Sequence, residues 1–209
     1  HYVADADVVP VPSDDLINPD YLDVRVTQAF APDAPSTPGD PGEALGRQPL
    51  VGMWGQDPTV DVPGTTHISI IDSEGNAVSM TATIEAAFGS SRMVGGFLLN
   101  NELTDFSFAP RKGNLPVANA VAGGKRPRSS MSPTLVFDEA GDLIMVSGSP
   151  GGNSIIAYTA KTLVGVLHWG KTAQEAAGFP NIIARGDTVG VEIDRENGAD
   201  LAEMLKDRG

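Results

Sequence analysis

An abrupt change of composition at Gly64–Thr65 constrains this chain more than any other feature. Ten of the 16 prolines lie in the first 64 residues, and Ala31–Gly64 is dense in proline, glycine and aspartate. Because proline fixes φ and removes a backbone donor, we expect an extended connector there rather than long regular elements. An acidic linker without any role would have the same composition. From Thr65 onward the sequence is β-prone, so we divide the chain into residues 1–64 and 65–209.

Hydrophobic periodicity predicts hairpins first and helices later. The expected elements are a partly helical Pro12–Phe30 with a helix over Asp20–Phe30, hairpins His67–Ile71 with Ala77–Thr83 and Thr134–Asp138 with Leu143–Ser147, a helix from about Asn153 to Trp169, a helix from Thr172, a strand at Val189–Ile193 and a final helix from Asp200. Thr172 and Glu175 have the spacing of a capping box. This order predicts an α+β fold in which helices are layered on antiparallel sheet.

Composition excludes several classes of function. A net charge of −13 argues against nucleic-acid partners and anionic membrane surfaces. The chain contains no cysteine, which excludes thiolate catalysis, disulfides and cysteine-based zinc sites. No pair of histidines has metal-ligand spacing, so neither a metal nor a cofactor is expected. No apolar run approaches the roughly 18 residues of a membrane span. The start at His1 and the helix-like end at Gly209 suggest that both ends are cut and that any export signal lies upstream.

The remaining nucleophile candidates include a threonine that becomes a chain terminus. A Ser-His-Asp triad is disfavoured because His1, His67 and His168 lie near no Gly-x-Ser-x-Gly turn. A terminal threonine instead attacks with its hydroxyl while its own α-amine, with a pKa of about 8, accepts the proton. Thr65 has the required position, between a connector and a strand. Gly-Thr junctions before strands are common, however, and this position alone leaves the role of Thr65 open.

Several longer blocks decide between these interpretations. They are Thr65–Ser69, Asp72–Ser79, Thr81–Thr83, Phe88–Ser90, Leu98–Ser107, Lys125–Thr134 and Gly148–Gly152. Their order and spacing closely resemble the small subunit of γ-glutamyltransferases (γ-glutamyltranspeptidases) over about Thr65–Ile156. Upstream, His1–Asp5 through Val11-Pro12 resembles the end of the large-subunit region of that family. The resemblance implies an N-terminal-nucleophile hydrolase with an αββα sandwich, represented here by a partial chain.

The resemblance also implies roles for individual residues. The precursor would cleave itself between Gly64 and Thr65, which frees the Thr65 amine, and Thr83 would support the nucleophile. The backbone N–H groups of Gly151 and Gly152 would form the oxyanion hole, which agrees with glycines that precede a helix. The remaining matches concern the substrate head group. Ser129 and Ser130 would hold its α-carboxylate, and Asp105 and Glu102 its α-ammonium.

Glu85 departs from the family pattern, because well-known members have asparagine at this position. This departure bears on the preference for a γ-glutamyl head group. The expected substrates are glutathione or other γ-glutamyl compounds, with an amino acid, a peptide or water as acceptor. A glutaryl or cephalosporin-type acylase of the same fold is an alternative, although Glu85, Glu102 and Asp105 together favour a substrate that has an ammonium group. A non-catalytic homologue or inactive fragment is a further one.

The resemblance further implies a partner and a location. The arginine that holds the substrate carboxylate in this family, and the last strands of its small subunit, have no counterpart in these 209 residues. We therefore expect the remainder of the large subunit to be a partner and the 209 residues alone to be inactive. The family suggests a periplasmic or secreted protein.

Overall fold

The computed structural model describes residues 2–29, 37–59, 64–186 and 188–208. Its elements, in chain order, are α1 (Ser13–Leu16), α2 (Pro19–Ala29), α3 (Pro41–Ala44), β1 (Thr65–Ile71), β2 (Ala77–Thr83), β3 (Met93–Val94), β4 (Phe97–Leu98), a 3₁₀ helix (Glu102–Asp105), β5 (Arg111–Lys112), β6 (Leu115–Pro116), β7 (Thr134–Phe137), β8 (Leu143–Ser147), a 3₁₀ helix (Gly152–Ser154), α4 (Ile155–Leu167), α5 (Ala173–Gly178), β9 (Ile182–Arg185), β10 (Thr188–Val191) and α6 (Gly198–Lys206). The described residues are therefore a mixture of helices and antiparallel hairpins.

Both predicted hairpins are present with nearly the expected bounds. β1 pairs with β2, and β7 pairs with β8, antiparallel in each case. The two hairpins are tied together by one serine, Ser79. Its hydroxyl donates to the carbonyl of Ser147 at 2.9 Å and accepts the N–H of Thr134 at 3.0 Å. The strand predicted at Val189–Ile193 is β10. Its partner β9 was not predicted because Ile182–Arg185 does not alternate apolar and polar residues.

The helices after the second hairpin also agree with the prediction. α5 begins with the expected capping box, in which the Thr172 hydroxyl accepts the N–H of Glu175 and the Glu175 carboxylate accepts the N–H of Thr172. The helix expected from Asn153 begins with the 3₁₀ turn and continues as α4. α4 and α5 pack closely where buried Gly165 meets buried Ala176. Glycine at this contact lets the two backbones approach.

The region before Gly64 agrees with the prediction in its helices and departs from it in the connector. The helix expected over Asp20–Phe30 is α2, and the short helix α1 precedes it. The two are separated just before Pro19 because a residue that precedes proline avoids the α conformation. The connector is not extended throughout, since α3 lies within it. Asp40 caps this helix by accepting the N–H of Glu43 and also accepts the N–H groups of Leu50 and Val51. The parts of the connector at 31–36 and 60–63 lie outside the described residues.

The β1–β2 hairpin has one polar face and one apolar face. Thr65, His67, Thr81 and Thr83 are on the half-buried face that packs toward the rest of the chain. Cross-strand neighbours on the opposite face are Ile68 with Met80 and Ile70 with Val78. Together with Leu135, Phe137 and Ile144 of the second hairpin, these apolar side chains are 40% to 54% exposed. The described residues therefore leave an apolar sheet face uncovered, which is unusual for a complete domain.

We expect Gly165→Ala to lower the stability of the chain, although alanine is the better helix former by about 1 kcal/mol. The added carbon would lie 2.9 Å from the Cβ of Ala176, so α4 and α5 would have to separate. Overpacking of this kind costs about 1–3 kcal/mol. Urea unfolding measures the difference. The matched control is Gly178→Ala at the end of α5, where a new Cβ meets nothing within 4 Å and should be neutral or stabilising. Equal effects of the two substitutions would contradict this packing.

Candidate active site

The register of the first hairpin places Thr65 directly opposite Thr83. Both side chains lie on its half-buried face. The Thr83 hydroxyl accepts the N–H of Glu85 at 2.9 Å, and it donates to the carbonyl of Gly64 in a long hydrogen bond of 3.5 Å. Thr83 is therefore adjacent to the peptide bond that precedes Thr65, which is the bond that the sequence predicts to be cleaved.

Gly64 and Glu85 are in close backbone contact. A Cβ at residue 64 would lie 1.9 Å from the carbonyl oxygen of Glu85, so only glycine fits. Glu85 itself has a φ of 72°, a left-handed conformation that non-glycine residues rarely adopt. Asparagine, which the family resemblance leads one to expect here, is several-fold enriched in that conformation. The glutamate thus occupies a position whose backbone suits asparagine better.

Three carboxylates converge beside these threonines. Glu85 is buried, with 5% of its surface exposed, and the 3₁₀ helix Glu102–Asp105 brings its two terminal carboxylates alongside. Burial raises the pKa of Glu102 to about 7, and the negative charges of Asp105 and Glu85 and a hydrogen bond with Asp105 add to the shift. Both Glu102 and Asp105 belong to this single 3₁₀ turn. A carboxyl group with this pKa is only partly ionised at neutral pH.

Eight of the nine site residues predicted from the sequence line one small cavity. Its wall consists of Thr65, Thr83, Glu85, Glu102, Asp105, Arg128, Ser129, Ser130, Met131, Gly152 and Ile155. The cavity volume is about 30 Å³, roughly the space of two water molecules. Gly151, the ninth predicted residue, precedes Gly152 and lies just outside the wall. The structure thus brings together side chains that are up to 90 positions apart in the sequence.

The Gly151-Gly152 turn has the backbone conformation that requires glycine. The φ angles are 137° and 56°, and a Cβ at Gly151 would lie 2.7 Å from the ring of Tyr158. Gly152 begins the 3₁₀ turn that continues into the 13 residues of α4. Backbone N–H groups at such a helix start are free of intrahelical partners and favour negative charge. This arrangement suits an oxyanion.

The loop that contains Ser129 and Ser130 is fixed by polar anchors that sequence reasoning missed. Asn119, 1% exposed, accepts the N–H of Arg128 at 3.0 Å. Its amide donates to the carboxylate of Asp57 at 3.0 Å and to the carbonyl of Asp105 at 2.7 Å. Arg128 forms an ion pair with Asp57 at 3.3 Å. One buried amide therefore links the connector, the carboxylate cluster and the serine loop.

A second anchor lies further upstream. Buried Asp5 accepts the N–H of Arg126 at 2.8 Å and its guanidinium at 2.7 and 3.2 Å. These hydrogen bonds hold the pKa of the Asp5 carboxyl well below its usual range. The sequence carries one signal for such anchors, namely the lone polar residue Asn119 in the apolar run Val117–Ala120, since a buried polar group must find partners.

The described residues contain no candidate metal site. They contain no group of three or more histidine, cysteine, aspartate or glutamate side chains that could hold a metal ion. None of the helices within 2–29, 37–59, 64–186 and 188–208 is both long and apolar enough to cross a membrane.

Comparison with known proteins assigns the chain to a family. The family model described as Gamma-glutamyltranspeptidase matches residues 1–209, the whole chain. The chain belongs to the γ-glutamyltranspeptidase family. This confirms the resemblance inferred from the sequence blocks. The match includes the residues on both sides of the Gly64–Thr65 bond.

Individual relatives support the same assignment. The glutathione hydrolase proenzyme of Pseudomonas sp. strain A14 is 37% identical over 186 residues, which are 86% of this chain and 30% of that protein. The glutathione hydrolase proenzyme of Escherichia coli K12 is 32% identical over 216 residues, 100% of this chain and 35% of that protein. This chain therefore spans about a third of the length of these curated relatives.

A solved structure confirms the fold class. A crystal structure of a Helicobacter pylori γ-glutamyltranspeptidase mutant matches with a TM-score of 0.59 and 38% identity, over 69% of this chain and 81% of that chain. The chain thus has the α+β fold of an N-terminal-nucleophile hydrolase, in partial form.

We expect Glu85→Asn to lower the pKa of Glu102 from about 7. Removing the negative charge at residue 85 makes the ionised form of Glu102 less unfavourable, and the pKa of an acid falls when its charged form is stabilised. A ¹³C NMR titration of the glutamate carboxyl groups, assigned with Glu102→Gln, measures the change. Glu74→Gln, in the turn at the far end of the hairpin, is the matched control. An unchanged or higher pKa in Glu85→Asn would contradict this account of the cluster.

Asn119→Ala should destabilise the chain strongly. The substitution removes the hydrogen bonds that Asn119 makes to the N–H of Arg128 and the carbonyl of Asp105. Each buried polar group left without a partner lowers the free energy of unfolding by about 1–3 kcal/mol. Urea unfolding gives the change in free energy. The control is Asn114→Ala in an exposed turn, which should stay within about 0.5 kcal/mol of the parent chain. Similar stabilities for the two variants would show that Asn119 is not the anchor described here.

Proposed function

We propose that the full-length protein cleaves itself between Gly64 and Thr65 and then transfers or hydrolyses γ-glutamyl groups through an ester on Thr65. The observation that carries the proposal is the single cavity lined by Thr65, Thr83, the three carboxylates, both serines and Gly152. Membership of the γ-glutamyltranspeptidase family supports it independently. The division of the chain into residues 1–64 and 65–209 is part of the same proposal.

Self-cleavage prepares the nucleophile. Hydrolysis of the Gly64–Thr65 peptide bond consumes one water and releases the carboxylate of Gly64 and the α-amine of Thr65. The amine then acts as the base for the Thr65 hydroxyl. Its pKa of about 8 leaves a useful neutral fraction near pH 7. Thr83, opposite Thr65 on the neighbouring strand, is the hydroxyl placed to orient the nucleophile.

The proposed acyl transfer uses Thr65 and the Gly151-Gly152 turn. The Thr65 hydroxyl attacks the γ-carbonyl of the donor, and the backbone N–H groups of Gly151 and Gly152 stabilise the oxyanion. The amine of the leaving group departs with a proton, and a Thr65 ester remains. Water or an acceptor amine attacks that ester, which completes hydrolysis or transfer and regenerates the free hydroxyl.

The acidic cluster supports a γ-glutamyl donor over a glutaryl one. Glu102 and Asp105, with Glu85 beside them, provide negative charge for an α-ammonium that a glutaryl group lacks. Ser129 and Ser130 line the same cavity as donors for the α-carboxylate. Relatives of the chain are named glutathione hydrolases, which supports glutathione as a donor.

The remainder of the large subunit is the proposed partner of this chain. The chain spans about a third of its curated relatives, and its first hairpin exposes an apolar face with Ile68, Ile70, Val78 and Met80. A second sheet against that face would complete the αββα sandwich. By the same family resemblance, we propose that the full-length protein is periplasmic or secreted.

Thr65→Ala in the full-length protein should abolish both self-cleavage and turnover, because no hydroxyl remains to form the ester. The loss of turnover should be on the order of 10⁴-fold or more. Mass spectrometry reports cleavage, since a fragment that begins with Thr65 appears only after scission, and release of p-nitroaniline from γ-glutamyl-p-nitroanilide reports turnover. Thr66→Ala, an exposed neighbour, is the matched control and should cleave and react normally.

Two further measurements separate the γ-glutamyl enzyme from a glutaryl acylase and from a non-catalytic homologue. Glutaryl-p-nitroanilide differs from the first substrate only in the missing ammonium and should react at least about 10²-fold more slowly. Faster glutaryl turnover would favour the acylase. An intact full-length chain without turnover would favour a non-catalytic homologue. The 209-residue chain assayed alongside should show no turnover.

A further inference from the structure

A row of polar pairs runs along the inward face of the first hairpin, away from Thr65. The register pairs Thr65 with Thr83, His67 with Thr81, and Ser69 with Ser79. Inward positions of a strand are ordinarily apolar, so these polar pairs, in which all members except the exposed Ser69 are half-buried, need a reason. At the far end, Ser79 ties this hairpin to the second one through Ser147.

His67 is held at both of its ring nitrogens. Nδ1 is 2.8 Å from the Thr81 hydroxyl, and Nε2 is 3.0 Å from the Ser69 hydroxyl. Burial lowers the pKa of His67, so the ring is neutral near pH 7. Hydroxyl groups can donate or accept, which satisfies either tautomer. Two hydrogen bonds therefore fix the plane of the imidazole, and neither is made to Thr65, so the ring is not placed as its base.

The imidazole lies directly against the backbone of Gly148. A Cβ at residue 148 would lie 2.2 Å from Cε1 and 2.4 Å from Nδ1 of His67. The φ of Gly148 is not in the left-handed region, so its conformation is open to other residues. Close approach of the ring is therefore the reason for glycine at this position, in contrast to Gly151 and Gly152.

Gly148 is the start of the turn that ends in the proposed oxyanion hole. Only Ser149 and Pro150 separate it from Gly151, and the proline ring limits how far this short link can flex. His67 and Thr65 are two positions apart on one strand. The contact between His67 and Gly148 therefore connects the strand that bears the nucleophile to the turn that would stabilise the charge.

We propose that His67 is a positioning residue: its imidazole, clamped by Thr81 and Ser69, sets the place of Gly148 and thereby the distance of the Gly151-Gly152 turn from Thr65. The inference rests on the proposed function of that turn. It assigns no contact between His67 and the substrate. Oxyanion stabilisation acts in the transition state, so misplacing the turn lowers kcat and leaves KM nearly unchanged.

The test is a double-mutant cycle in the full-length protein with Gly148→Ala, His67→Ala and both together. Mass spectrometry gives the fraction of the protein that carries a free Thr65 terminus, which counts the active sites, and rates are taken per active site. We expect Gly148→Ala to reduce kcat by about 10²-fold, since a shift of about 1 Å in a catalytic group has that effect, with KM within about twofold. In the His67→Ala background the same substitution should cost less than about threefold, because the ring is gone.

The controls separate the possible failures. Gly123→Ala, where a Cβ meets nothing within 4 Å, should change neither background. A purely structural role for His67 would reduce the number of active sites and leave the rate of each unchanged, which overturns the inference. Equal costs of Gly148→Ala in both backgrounds also overturn it. Absence of turnover in an unmodified protein that has been cleaved before Thr65 would instead refute the proposed function itself, and this inference with it.

A second measurement covers variants that fail to cleave themselves. In an uncleaved Thr65→Ala background, amide hydrogen exchange is followed in the peptide that contains residues 148–152. We expect His67→Ala to accelerate exchange there, because the backbone loses the ring that packs against it, and Gly123→Ala to leave it unchanged. Unaltered exchange in His67→Ala would overturn the inference without reference to any substrate.

Discussion

The antiparallel register of β1 and β2 is the constraint on which the rest of the site depends. It pairs Thr65 with Thr83 and turns both inward, and it directs the apolar side chains Ile68 and Met80 to the other face. A slip of one residue would exchange the two faces and place Thr65 on the apolar side. Every other part of the site is positioned against this pair of strands.

The electrostatics of the cavity follow from packing around that pair. Glu85 is buried two residues after Thr83, in a strained backbone conformation, and the 3₁₀ turn brings Glu102 and Asp105 beside it. Like charges in a partly buried space resist ionisation, which is why the pKa of Glu102 rises to about 7. The glutamate at this position adds a negative charge to the cavity and also occupies a left-handed backbone conformation that asparagine adopts more readily.

The loops around the cavity are ordered by polar anchors from distant parts of the chain. Asn119 joins Asp57, Asp105 and Arg128, and Asp5 holds Arg126. Because buried amides and carboxylates are costly unless paired, such contacts specify one arrangement of loops that have little regular structure. They also connect residues before Gly64 to the serine loop, so the two predicted segments of the chain fold against each other.

The sequence by itself determined the family, both large hairpins, the capping box at Thr172 and the candidate site residues. These features are local, since strand periodicity, capping spacing and motif blocks each involve residues within a few positions of one another. α3 was missed because a single helical turn is too short to show a period of 3.6 residues, and β9 because Ile182–Arg185 does not alternate apolar and polar residues. Family resemblance, rather than periodicity, predicted that Thr65 shares one site with Glu102, Ser129 and Gly151.

Only the tertiary structure decided how those residues meet. Asn119 stands out as a lone polar residue in an apolar run, but the sequence does not name its partners. The contact between His67 and Gly148 has no local signature, and both it and the bond from Asn119 to Asp57 join residues more than 50 positions apart. The glycine at 148 illustrates the difference. Its sequence context indicates a turn, whereas the folded chain shows that it is glycine because an imidazole ring lies where a side chain would be.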